Sequence, residues 1–204
     1  CGAGAEVAAV EEVAADAPQG SYTFVEPEVE ATVREVLGKE TGDITYEDLL
    51  SITELDCSSA GLTSVEDFQF MPNLTRLDLE YNQISDLSLL AGLTNLTVLD
   101  LYANEISDIS PLAGLTNLEE LILWKNKISD ISPLAGLTNL SYLDLRGNQI
   151  ADFSPLDGLN IYDLRMDDNH PVIPTPTPSP YQAPIVGNDG LHVMSPEEYS
   201  SLIE

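Results

Sequence analysis

Basic residues are scarce in this chain of 204 residues: 7 lysines and arginines stand against 35 aspartates and glutamates, a formal net charge of −28. Such a surface repels phosphate backbones and anionic headgroups, which excludes nucleic acid and bare anionic lipid as partners. A cationic protein patch, a metal ion or a neutral glycan stays compatible with it, and so does a solvated acidic surface that serves no ligand. Cysteine is scarcer still, and Cys1 and Cys57 make no disulfide framework. The only histidines, His170 and His192, are not paired for a metal centre or for nucleophile activation. No run of about 18 apolar residues occurs, so no segment reads as a membrane-spanning helix. A Gly-rich phosphate loop, a nucleophile elbow and a Cys in register with a His are all missing, which argues against an enzyme and against any cofactor. Asp78 and Asp100 are conceivable as an acid and base pair, but an open, solvated face offers neither the desolvation nor the separation of pKa that such work needs.

What the chain does have is a period. In Leu96–Asn117, LTVLDLYANEISDISPLAGLTN, apolar residues fall at positions 1, 4, 6, 11, 14, 17 and 20 with Asn at 9, and the next copy starts 22 residues later. Leu74, Leu77, Leu79, Asn82, Ile84, Leu87, Leu90 and Leu93 thus reappear as Leu96, Leu99, Leu101, Asn104, Ile106, Ile109, Leu112 and Leu115, with further copies from Leu118 and Leu140. Upstream, Ile52, Leu55, Cys57, Ala60, Leu62, Val65, Phe68 and Met71 form a degenerate first copy with Ala60 in place of Asn. Downstream, Ile161, Leu164, Met166 and Asn169 follow 21 residues after their counterparts, and the ladder stops at Pro171. A period in this range marks a solenoid, because no single copy can bury its own ladder and each must stack on its neighbours.

The motif LxxLxLxxNxIxDIxPLxxLxx over residues 52 to 169 resembles the leucine-rich repeat family, specifically the 22-residue class of bacterial internalin-like surface proteins. The resemblance implies an α/β solenoid: a horseshoe with a parallel concave β-sheet, a helical N-terminal cap and a convex side of 3₁₀ or irregular segments. The residues agree with it. Alternating leucines in each LxxLxL point inward, and the residues between them point to the concave surface. The Asn at position 9, where the chain leaves the strand, is placed to satisfy backbone groups of neighbouring turns.

The domain layout follows. Residues 1–20 read as a flexible, acidic, Ala-rich tether. Cys1-Gly2 looks like the start of a mature bacterial lipoprotein, lipidated on Cys1; an arbitrary boundary at this point is the alternative. Residues 21–51 read as the cap. Pro27 starts a helix whose Val29, Val33, Val36 and Leu37 recur at helical spacing and which Gly38 ends, and Thr45 caps a second short helix in YEDLLSI. Residues 52–170 are the repeats, and Cys57, in a Leu position, is expected to be a buried thiol. Residues 171–184 form a stiff Pro-rich linker, with Pro171, Pro174, Pro176, Pro178, Pro180 and Pro184. Residues 185–204 are a tail that can dock as a C-terminal cap.

On the convex side Asp86, Asp108, Asp130 and Asp152 share a column. Four stacked carboxylates invite a calcium reading, but each precedes a short helical turn whose free N–H groups a carboxylate can cap, so no metal is expected. The concave positions fall in three columns: Glu54, Arg76, Val98, Glu120, Tyr142, Asp163; Asp56, Asp78, Asp100, Ile122, Asp144, Arg165; and Ser58, Glu80, Tyr102, Trp124, Arg146, Asp167. With turns about 5 Å apart, Val98, Tyr102, Ile122, Trp124 and Tyr142 are expected to cluster at mid-sheet, with Tyr81 just beyond the edge and Arg146 beside them. An apolar centre with a charged rim is the arrangement of a binding surface. The alternative is that wide neighbours simply pack across a sheet.

The function expected is a non-enzymatic cell-surface module whose concave face binds a protein or peptide with basic residues, or a glycan stacking on Trp124 and Tyr102; the competing expectation is a passive structural spacer. The placement expected is extracellular, on the outer face of a bacterial membrane, touching the membrane only through a lipid on Cys1, as a monomer.

Overall fold

The computed structural model describes residues 20–171. Six three-residue strands, β1 (Glu54–Asp56), β2 (Arg76–Asp78), β3 (Val98–Asp100), β4 (Glu120–Ile122), β5 (Tyr142–Asp144) and β6 (Asp163–Arg165), form one parallel sheet in sequence order. Glu54 stands opposite Arg76 and so on through Glu120 opposite Tyr142, while Tyr142 stands opposite Asp163. The residue missing from the last copy is thus lost outside the strands, and pairing continues unbroken. Short 3₁₀ turns return the chain on the other side: Glu66–Phe70, Ser88–Leu90, Ser110–Gly114, Ser132–Gly136 and Ser154–Leu156. The architecture is the expected α/β solenoid, a leucine-rich repeat horseshoe with a parallel sheet on one side and 3₁₀ turns on the other.

Between the two sides runs a continuous core from Val29 to Leu156, in which the ladder leucines and isoleucines are almost wholly buried. Cys57 lies in it as expected, and burial pushes its thiol up to about 12.

Position 9 shows how the turns are joined. Asn104 Oδ1 accepts the N–H of Ile84 in the preceding turn at 3.0 Å, and its Nδ2 donates to Leu79 O of that turn and to Leu101 O of its own. Asn82, Asn126, Asn148 and Asn169 repeat the pattern. The amide faces backwards along the solenoid. That direction accounts for Ala60: the first turn has no repeat behind it to bond.

The cap instead uses two helices, α1 (Pro27–Leu37) and α2 (Tyr46–Leu50). Pro27 opens α1, and Gly38, at φ 63, closes it with the left-handed residue that a Cβ-free position accepts readily. Thr45 and Asp48 form a reciprocal capping box on α2. Val29 and Val33 are buried, but Val36 points away from the repeats and is 52% exposed, so the apolar stripe of α1 is narrower than its spacing implies. A residue without a sequence signal fastens the cap. Asp67, 1% exposed, accepts hydrogen bonds from the Tyr22 hydroxyl at 2.6 Å and from the N–H groups of Val25 and Glu26 at 2.9 Å. Desolvation and this donation to Asp67 raise the Tyr22 pKa. Its ring packs against Phe24, Tyr46 and Phe70.

The convex aspartates act locally, each accepting the N–H of the residue two positions on: Ser88 for Asp86, Ser110 for Asp108, Ser132 for Asp130 and Ser154 for Asp152. Each is therefore an Asx turn one residue before the cap position rather than an N-cap proper. At the far end of the sheet Leu164 and Ile161 are half-buried and Met166 is 39% exposed. Docking of the 185–204 tail there, residues 172–184 of the Pro-rich linker, residues 1–19 of the tether with Cys1, and His192 all lie outside the described residues.

Removing one joining amide should open two turns at once. Asn126→Ala is expected to cost about 2–3 kcal/mol, because it deletes three bonds and strands buried backbone groups. Asn95→Ala deletes one exposed bond to Pro72 O and is expected to cost less than about 1 kcal/mol. Urea unfolding of the two variants checks the difference.

Candidate functional site

The parallel register brings the third column into a stack. Tyr102 and Trp124 lie face to face, with ring centroids 4.5 Å apart and planes 15° from parallel. This is the geometry that strands at sheet spacing impose on flat side chains in register. Tyr81 meets the other side of Tyr102 edge-on at 4.7 Å, and its hydroxyl donates to that of Tyr102 at 2.9 Å. That bond raises the Tyr81 pKa and lowers that of Tyr102. Beyond Trp124, the Arg146 guanidinium covers the indole at 4.2 Å, and two of its nitrogens are held by the carboxylate of Asp144. Asp144, 1% exposed, is sunk below the sheet surface and fixes that arginine.

Of the residues expected to converge, Tyr81, Tyr102, Trp124 and Arg146 do so. Val98 and Ile122 lie in the neighbouring columns of β3 and β4, half-buried. Tyr142 belongs to the first column, where Glu120 separates it from Val98 and Arg165 lies over its ring at 5.1 Å. Register, not proximity in the repeat, makes this division. Tyr81 sits closer to the centre than its place after the strand suggests. It occupies the residue that follows the third column, where the backbone turns left-handed, at φ 53.

Sequence reading missed Lys125, at the same turn position one repeat after Ala103. Its ammonium lies 5.0 Å from the Trp124 ring and 5.6 Å from the Tyr102 ring, and it donates to the Tyr102 hydroxyl at 3.3 Å. Its chance to touch the stack comes only from the turn that carries it back over the preceding rung.

The second column departs from expectation more sharply. Its aspartates accept N–H groups two residues on, as Asp100 does from Tyr102 at 2.9 Å, and so set the third column's backbone. Asp100 is nevertheless desolvated. Burial, with repulsion from Asp78 and Glu80, pushes it up to about 6 against the opposing Tyr102 N–H and Arg76. Glu80 is raised as well, by burial first and then by Asp78 and Asp56. The face is thus not uniformly solvated. One oxygen each of Asp78, Glu80 and Asp100 lies within 4.8 Å of the others, a spacing open to a cation. We assign no ion to it.

The six-stranded parallel sheet and its repeats have counterparts. A family described as Leucine Rich repeats (2 copies) matches residues 72–114 and 116–158. Internalin C2 of Listeria monocytogenes shares 38% identity, over 72% of this chain and 76% of that one, at a TM-score of 0.59.

The chain belongs to the internalin-like leucine-rich repeat family.

A second internalin of that organism, InlF, is 31% identical over 71% of this chain, which spans only 52% of its length, at a TM-score of 0.59. The functional domain of InlJ, which includes a cysteine ladder, shares the fold at 22% identity and a TM-score of 0.50, over 75% of this chain and 44% of that one. No curated protein matches by sequence. The internalin-like fold is a non-catalytic, protein-binding module of bacterial surface proteins, and this chain shares that character.

The raised carboxyl has a measurable consequence. A carboxyl with a raised folded pKa binds its proton more tightly folded than unfolded. The stability penalty is full above about pH 6 and fades as pH falls towards the unfolded value near 4. Asp100→Asn keeps the acceptor for Tyr102 and is expected to gain about 1–2 kcal/mol over wild type at pH 7.5. The gain should vanish below about pH 3.8, as chemical denaturation across the range will test.

Proposed function

We propose that this internalin-like chain binds a protein partner carrying basic residues through the concave face of its repeats, with Trp124 at the centre. The observation that carries the reading is the stack Tyr81–Tyr102–Trp124–Arg146, four large side chains ordered on an exposed sheet face that the core does not need. Large, ordered aromatic and arginine side chains are the usual anchors of an interface.

Charge supports the choice of partner. Glu54, Asp56, Asp78, Glu80, Asp100 and Glu120 flank the stack, and among the described residues none makes an ion pair within 4 Å. Lysine or arginine from a partner would relieve repulsion there, as well as steer encounter. Filled ring faces on Trp124 weigh against a glycan stacking on it. The proposed setting is extracellular, with Cys1 lipidated at the outer face of a bacterial membrane and the chain acting as a monomer. A diacylglyceryl-modified Cys1 peptide in the mass spectrum of the native protein would support the anchor, and an unmodified one would refute it.

The full chain and Trp124→Ala should be presented to a panel of purified cell-surface ectodomains and glycans, with folding followed by far-ultraviolet circular dichroism. The expected result is an ectodomain captured by wild type and bound at least about tenfold more weakly by the folded variant. Binding should also weaken by about tenfold or more between 0.05 and 0.5 M salt. Glycan-only capture, or capture indifferent to Trp124, overturns the reading. No capture at all favours a passive spacer.

A further inference from the structure

The left-handed turn position after the third column recurs in every repeat, and glycine is not what it ordinarily holds. Ser59, Tyr81, Ala103, Lys125 and Asp168 adopt φ between 53 and 58 there, and Gly147, at φ 63, is the exception in kind but not in conformation. Backbone geometry therefore does not explain Gly147. Its surroundings do. A β-carbon at Gly147 would meet Trp124 Cδ1 and Nε1, both at 3.3 Å, and Lys125 Cγ at 3.4 Å. The corresponding side chain one repeat earlier, Lys125, lies over Tyr102 and bonds its hydroxyl. At Gly147 the next turn adds no such side chain to the pyrrole edge of Trp124, beside which only the Lys125 stem of its own turn lies.

The ring faces are meanwhile occupied, one by Tyr102 and the other by Arg146. Among the described residues the indole N–H has no acceptor, although each polar side-chain atom that is fully buried has a partner. We infer that Gly147 is a positioning residue that keeps Trp124 edge-on with its indole N–H uncovered, so that the concave site takes a hydrogen-bond acceptor of a protein partner, a carbonyl or carboxylate oxygen, at that edge. The acceptor half of this inference rests on the proposed binding role of the concave face. The positioning half does not.

Trp124 is the single tryptophan, so its indole N–H gives one resonance that can be followed directly in the full chain. Gly147→Ala should fold, since Ala103 holds the same conformation. It should move that ¹H–¹⁵N cross-peak and slow N–H exchange with water by about threefold or more. Ala103→Ser, which adds bulk at the equivalent place one turn beyond Glu80, should leave the cross-peak in place. An unmoved cross-peak in Gly147→Ala overturns the positioning role. Trp124→Phe keeps a flat ring but deletes the donor, and it should weaken capture of an ectodomain identified by the panel about tenfold. Equal binding by Trp124→Phe overturns the acceptor assignment. A moved cross-peak with no ectodomain captured would support the positioning of Trp124 and count against the binding reading alone.

Discussion

A buried amide that bonds backwards is the interaction on which the rest of this structure depends. Each position-9 asparagine satisfies carbonyls of its own turn and of the one behind, and accepts an N–H from the turn behind. Three-residue strands alone supply few ladder bonds, so the turn that follows each strand would carry unpaired groups into the core without it. With it, backbone bonding continues past the strand, as in Tyr81 N–H to Tyr102 O at 2.8 Å and Lys125 N–H to Arg146 O at 2.9 Å. The left-handed turn is held in place by that continuation, and with it the side chains of Tyr81 and Lys125.

The concave stack is a consequence of this regularity. A parallel sheet without slippage delivers one side chain per column per rung, and flat rings on adjacent rungs meet face to face. Once stacked, their faces are no longer open, which leaves edges, hydroxyls and the indole N–H for a partner of the proposed kind. The buried Asp144 and the bare Gly147 then determine how the C-terminal side of Trp124 is presented. An acidic field surrounds the whole. Among the described residues its carboxylates on β1 to β4 make no ion pair within 4 Å, whereas the arginines of β5 and β6 are paired with Asp144 and Asp163. The face is polarised along the solenoid.

Much of this was legible in the chain. The period of 22, the inward leucines, the joining asparagines, Pro27, Gly38 and the Thr45 cap are all local signals, and the strands, turns and helices fall where those signals lie. Tyr102, Trp124 and Arg146 were legible too, because a column is simply every twenty-second residue. Val36, Tyr142 and Lys125 were not. Whether Val36 is covered depends on where α1 meets the first repeat, and whether Lys125 touches Tyr102 depends on a left-handed turn. Asp67 fastens a segment some forty residues away, which no spacing announces.

The sequence by itself determined the solenoid, since a repeated apolar ladder has one way to bury itself, and it determined which residues could share each column. Tertiary structure alone decided which neighbours in those columns touch, which ring faces close, how far Asp100 is removed from water and how closely residue 147 approaches Trp124. Those outcomes depend on separations of a few ångströms between chain segments a full turn apart, and on the desolvation that such proximity brings, neither of which a one-dimensional pattern encodes.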